Sequence, residues 1–131
     1  MDSAKSVLVI DDEENIRELI CLTLTDEGYK VLTAPNGAAA LTLLKHATPR
    51  LILLDMRMPI MDGWEFSKIY YKTARQIAPI IVLTAATDAA KFASQINADA
   101  FLPKPFDLED LLNLVERYTR LNSVNSASIE V

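Results

Sequence analysis

The sequence predicts an α/β fold, a parallel sheet covered by helices on both faces. Three observations carry that expectation. Val7-Leu8-Val9-Ile10 and Leu51-Ile52-Leu53-Leu54 are short runs without a polar residue, the pattern of strands buried on both faces. Strand-like and helix-like segments alternate along the whole chain, and right-handed crossovers then give a doubly wound parallel sheet. A length of 131 residues suits one domain with one full core.

The elements follow in order. Strands are expected at 6–10, 30–33, 50–55, 79–83 and 99–102. Helices are expected between and after them at 14–26, 36–46, 62–75, 87–96 and 107–121. The first helix carries an Ile16-Leu19-Ile20-Leu24 stripe, leaves Cys21 off it, and ends near Gly28. Asn36 caps the second helix, which holds His46 late on its surface. Pro59 cannot extend a ladder and closes the third strand region. Asp62 with Glu65 forms a capping-box pattern for the third helix, and Asp107 with Asp110 an acidic start for the fifth. Residues 1–121 are the expected domain, and the polar, serine-rich residues 122–131 a flexible tail or the start of a linker.

Composition narrows the class. A hydrophobic fraction of 50% and a charged fraction of 24% are ordinary for a soluble globular protein. A net charge of −5 disfavours direct nucleic-acid binding. The single cysteine, Cys21, fits a reducing compartment, and no apolar run approaches the roughly 20 residues of a membrane span. The amino terminus has no signal-peptide pattern. A cytoplasmic protein without membrane contact is expected.

The chemistry gathers at strand ends. Asp55 closes the third strand, and Asp11-Asp12-Glu13-Glu14 follows the first. Open α/β sheets place their ligand crevice at that carboxyl edge. Several carboxylates in one pocket repel each other unless a divalent cation or a lysine joins them. Thr84 and Lys104, at the ends of the fourth and fifth strands, can converge on the same edge. Carboxylates and a backbone carbonyl suit Mg²⁺, an ammonium and a hydroxyl suit phosphoryl oxygens, and Asp55 is the nucleophile such a site requires.

These residues carry a resemblance. Asp11-Asp12, Leu54-Asp55-Met56-Arg57-Met58-Pro59, Met61-Asp62-Gly63, Thr84-Ala85 and Lys104-Pro105-Phe106 resemble the motifs of the receiver domain of two-component response regulators. The match runs from about Lys5 to Leu121. It implies the flavodoxin-like (βα)5 receiver fold with strand order 2-1-3-4-5. It implies a switch that accepts a phosphoryl group on Asp55 from a sensor histidine kinase or phosphotransfer protein, and not an enzyme acting on a separate substrate. By the same resemblance Asp12, Asp55 and the main-chain carbonyl of Arg57 hold Mg²⁺, with Asp11 acting through water. Thr84 and Lys104 meet the phosphoryl group, and Phe101 changes rotamer with it.

Four positions depart from the commonest pattern. Phe101 stands where tyrosine is frequent, so its inward state rests on packing alone. Arg57 and Ala86 flank the site where dephosphorylation is tuned in the family. Ala100 stands where some DNA-binding regulators carry a dimer-forming aspartate, so a monomer or weak homodimer is expected. The chain ends soon after the fifth helix, which suggests a stand-alone receiver that signals by binding. The expected partner surface is the fourth helix, fifth strand and fifth helix, with Lys91, Phe92, Gln95, Phe106 and Glu109 as candidate contacts and Phe92 equally a core candidate.

Three alternative readings lack residues that they require or leave residues without a use. A haloacid-dehalogenase-type phosphatase needs an acid two residues beyond its nucleophile, and that position is Arg57. A flavodoxin-like module needs a phosphate loop after the first strand, where Asp11-Asp12-Glu13-Glu14 would repel the phosphate. A receiver-like module that no longer accepts phosphate would not need the intact acidic pair, Asp55, Thr84 and Lys104.

Overall fold

Five strands form one parallel sheet in the order β2-β1-β3-β4-β5. The computed structural model describes residues 5–130, with side chains described as far as Arg120. The strands are β1 (Ser6–Ile10), β2 (Lys30–Ala34), β3 (Leu51–Asp55), β4 (Ile80–Ala85) and β5 (Ala100–Lys104). The helices are α1 (Glu14–Asp26), α2 (Gly37–Leu43), α3 (Gly63–Thr73), α4 (Ala89–Gln95) and α5 (Leu108–Glu130). The expected doubly wound fold and strand order are both present.

Alternation along the strands explains the two cores. Leu8, Ile10, Ile52, Leu54, Ile80 and Val82 face one side, where Ala40, Phe66, Tyr70 and Phe92 of α2, α3 and α4 cover them. Val7, Val9, Leu51, Leu53, Ile81 and Leu83 face the other, under Ile20 and Leu24 of α1 and Leu111 and Val115 of α5. The central strands β1 and β3 are buried throughout, as their unbroken apolar runs require. Within the α1 stripe, Ile16, Ile20 and Leu24 pack inward, whereas Leu19 is 42% exposed. Steps of four keep one face, and Leu19 stands off it to the side.

The end signals are realised in backbone geometry. Asn36 accepts a hydrogen bond from the Ala39 N–H at 2.9 Å, and Asp62 one from the Glu65 N–H at 2.9 Å. Gly28 takes φ +93° after α1. The Tyr29 N–H reaches back to the Leu24 carbonyl and the Gly28 N–H to that of Thr25, a Schellman closure.

Several boundaries differ from expectation: α2 stops at Leu43, so His46 lies exposed in the turn after it and not on the helix. β4 runs on through Thr84 to Ala85, and β5 through Pro103 to Lys104. β5 is an edge strand, so the N–H that Pro103 lacks costs no interior ladder. The fifth helix continues to Glu130, across most of the segment expected as a tail. No glycine or proline interrupts Leu108–Glu130, and serine and asparagine disfavour a helix only weakly. Among the described residues no helix is long and apolar enough to cross a membrane.

Gly63 seats the start of α3 against the end of β3. Its N–H donates to the Met56 carbonyl at 2.9 Å. A Cβ there would stand 2.8 Å from Met56 Cα and 2.9 Å from the Asp55 carbonyl oxygen. Met56 Sδ is nearer still and could turn away, but the other two are main-chain atoms of the Asp55-Met56 segment and cannot. Gly63→Ala is therefore expected to lower the unfolding free energy by roughly 1–3 kcal/mol despite alanine's better helix propensity. Urea denaturation checks this, and an unchanged midpoint would contradict it.

Candidate functional site

The sheet register brings the acids together. Ile10 of β1 pairs with Leu54 of β3, so the next step sets Asp11 alongside Asp55. One carboxylate oxygen each from Asp11, Asp12 and Asp55 lie within 4.8 Å of one another. Asp11 and Asp55 are buried, and Asp12 is exposed at the mouth. The Asp11 side chain is fixed by the Glu13 N–H, which donates to its Oδ1 at 2.9 Å. Its backbone carbonyl accepts from Arg17 Nη1 at 2.7 Å.

Lys104 is the cation of the cluster. The last residue of β5, it holds its Nζ 2.7 Å from Asp11 Oδ2, 3.2 Å from Glu13 Oε1 and 3.9 Å from Asp55 Oδ2. One ammonium thus faces several carboxylates, and the imbalance appears in their protonation. The Asp55 carboxyl is pushed up to about 7, first by burial and then by the Asp11 charge. Lys104 opposes that rise, while a hydrogen bond with Asp12 and the Asp12 charge add to it. Asp11 is also raised, by burial, with Lys104 pulling the other way. Burial acts to lower Lys104, yet its contacts with Asp11, Asp55 and Glu13 outweigh that and hold it above the ordinary lysine value.

The other expected residues frame this cluster. Thr84 is buried in β4, one step beyond Leu83, the partner of Asp55 in the ladder. Phe101 of β5 pairs with Val82 and is 42% exposed, so its ring faces outward. Arg57 does not reach over Asp55. Its guanidinium carbon lies 5.2 Å from the Phe92 ring centre and 5.8 Å from that of Trp64. Phe92 itself is buried under α4, which removes it from any contact surface, whereas Lys91, Gln95 and Glu109 are exposed and Phe106 half-buried.

Three features escaped the sequence reading. Glu13 is a ligand of the Lys104 ammonium, and its place in the Asp11-Asp12-Glu13-Glu14 run was the available signal. Arg17 pins the Asp11 backbone, one helical turn after Glu13. The aromatic seat of Arg57 is built by residues distant in sequence, and no local pattern announces it.

Chemically, three crowded oxygen donors beside one ammonium form a set that favours a hard divalent cation and an anionic group near Asp55. The same cluster marks a family. The model of the response regulator receiver domain matches residues 7–116. The chain belongs to that family. The receiver is 33% identical over 121 residues to sporulation initiation phosphotransferase F of Bacillus subtilis, covering 91% of this chain and 97% of that one. It is 41% identical over 113 residues to the DNA-binding transcriptional regulator NtrC of Escherichia coli, covering 85% of this chain. It spans only 24% of NtrC, about a quarter of that relative's length. The structure of response regulator protein TrrA from Thermotoga maritima in complex with Mg(2+)-BeF is similar, with a TM-score of 0.76 and 36% identity. That likeness covers 87% of this chain and 98% of TrrA.

The raised Asp55 carboxyl makes stability depend on pH when no divalent cation is present. Its folded value of about 7 exceeds the ordinary 3.8, so the folded protein holds a proton that the unfolded chain releases. Stability therefore falls as pH rises from about 4 to about 7, and the full penalty persists above that range. Asp55→Asn in chelator should gain roughly 1–4 kcal/mol over the native protein at pH 8, and the gain should vanish near pH 4. Denaturation at the two pH values checks this, and an equal gain at both would contradict it.

Proposed function

We propose that this receiver accepts a phosphoryl group on Asp55 from the phosphohistidine of a sensor histidine kinase or a phosphotransfer protein, in a Mg²⁺-dependent step. The observation that carries this reading is the meeting of Asp11, Asp12 and Asp55 within 4.8 Å, with the Lys104 ammonium 3.9 Å from Asp55. The Mg(2+)-BeF complex of TrrA and the phosphotransferase name of the Bacillus relative support it.

Asp12, Asp55 and the main-chain carbonyl of Arg57 would hold the cation directly, and Asp11 through water. Bound there, Mg²⁺ supplies positive charge that keeps Asp55 ionised and offsets charge on the phosphoryl oxygens. An Asp55 oxygen forms its bond to phosphorus as the bond from phosphorus to the imidazole nitrogen breaks. The nitrogen keeps the electron pair and, after taking a proton from solvent, leaves as neutral imidazole. Lys104 turns from Asp11 toward the phosphoryl oxygens, and the Thr84 hydroxyl donates to another of them. Catalysis here serves only the chain's own phosphorylation and hydrolysis.

The switch follows from the strands that carry these groups. A shared partner draws the ends of β4 and β5 inward, and Phe101 turns from solvent toward the space beside Thr84. The face formed by α4, β5 and α5 then changes, with Lys91, Gln95, Phe106 and Glu109 placed to meet a downstream protein. Such a contact is small, polar and transient.

Incubation with Mg²⁺ and a small phosphodonor, followed by intact-mass measurement, tests the reading. One labile phosphate is expected on the native protein and none on Asp55→Asn or in excess chelator. Label that survives either change would refute the assignment. Thr84→Ala should still take the phosphate, while the backbone NMR response around Phe101 is lost. An unchanged response would sever the proposed coupling.

A further inference from the structure

Arg57 has a second attachment, and it lies on α4. The Trp64 and Phe92 rings meet edge to face, with centres 4.7 Å apart and planes at 71°. Trp64 Nε1 also donates to Gln95 Oε1 at 2.8 Å. Phe92 and Gln95 are three residues apart and so share one face of α4. The start of α3 thus grips one turn of α4 through a single indole. The Arg57 guanidinium closes that grip, lying within cation–π range of both rings. Among the described residues Arg57 makes no ion pair, so these rings are its anchor. Met56, the residue before it, is fully buried, and the Met56 carbonyl is tied to the Gly63 N–H at the start of α3. The backbone of Arg57 follows directly on that anchored residue, and its side chain packs on the rings of α3 and α4.

We propose that Arg57, Trp64, Phe92 and Gln95 form a clasp that ties α4 to the metal-site loop. The clasp makes α4 respond to divalent-cation binding alone, by a route separate from Thr84 and Phe101. This rests on the reading above, in which the Arg57 carbonyl faces the cation. Fixing that carbonyl fixes the root of the side chain, and the clasp carries the constraint to Phe92 and Gln95. Arg57 is a positioning residue here, since its guanidinium touches rings and not the reacting atoms. Coupling of this kind is reciprocal: a partner that prefers the cation-free position of α4 weakens cation binding, and one that prefers the cation-bound position strengthens it, by the factor with which the cation changes that partner's affinity.

The test uses Mg²⁺ alone, with no phosphodonor. Arg57→Met keeps an unbranched stem and the backbone carbonyl but removes the cationic plane, at an exposed position where folding should survive. Without metal, the Trp64 indole N–H resonance should shift in Arg57→Met relative to the native protein. An unmoved resonance would show that the clasp does not form. On titration with Mg²⁺, α4 amides from Lys91 to Ile96 should shift in the native protein and in Thr84→Ala, and stay still in Arg57→Met. Calorimetry should show Mg²⁺ binding weakened severalfold in both Arg57→Met and Phe92→Leu, with the double variant no weaker than the worse single one. Unaltered α4 shifts in Arg57→Met, or unaltered affinity in both single variants, would overturn the clasp. Mg²⁺ that fails to bind the native protein, or binds Asp12→Ala equally well, would instead overturn the metal site on which the clasp rests.

Discussion

Repulsion among carboxylates at one edge of the sheet is the constraint on which the rest of this structure depends. Asp11, Asp12 and Asp55 are held within 4.8 Å because the strands that carry them are locked in register by buried apolar ladders. Neither β1 nor β3 can retreat without exposing its core face. The acids therefore stay crowded, and the strain is relieved chemically. Protonation of Asp55, the Lys104 ammonium and a bound cation are the three available remedies; burial and the Asp11 charge raise the Asp55 carboxyl toward the first, and the second is visible in the short contact of Lys104 to Asp11. A site that is poor alone and good with added positive charge is what a switch requires.

The backbone around the acids is equally constrained. The Gly37 N–H donates to the Met61 carbonyl, and the Gly63 N–H to that of Met56. These bonds fasten the loop between β3 and α3 at both ends. Between them Arg57 leans on Trp64 and Phe92, away from Asp55. Lys104 reaches the acids from an edge strand, where its neighbour Phe101 remains exposed. Two elements thus run from the acidic cluster to the outer surface: the loop between β3 and α3, which meets α4 through the Arg57 side chain, and β5. Each offers the site a short mechanical path outward through packed side chains.

Much of this was legible in the sequence. Buried strands announced themselves as apolar runs, and the caps at Asn36 and Asp62 and the turn at Gly28 as residue types with a stated stereochemical use. Asp11, Asp12, Asp55 and Lys104 were picked from their positions at strand ends, and the sheet does bring them together. Strand ends were harder. Thr84, Pro103 and Lys104 have little reason to be strand by propensity, and only pairing with a neighbour extends the ladder through them. The continuation of α5 was hidden because polar composition suggests a loose segment, whereas a helix stops at glycine, proline or a lost partner. The direction of Arg57 was beyond reach, since it is set by rings on two helices that meet it only after folding.

The central claim is that the crowded acids await a divalent cation, and proton release on binding tests it most directly. Near pH 7 a sizeable part of the metal-free protein should hold a proton on Asp55, whose carboxyl burial and the Asp11 charge push up to about 7. Calorimetric titration with Mg²⁺ in two buffers of different ionisation enthalpy measures how many protons leave. The account predicts release of a substantial fraction of one proton per Mg²⁺ at pH 7, falling toward zero at pH 9 and absent in Asp55→Asn. Binding with no proton release at pH 7, or release that persists in Asp55→Asn, would contradict it.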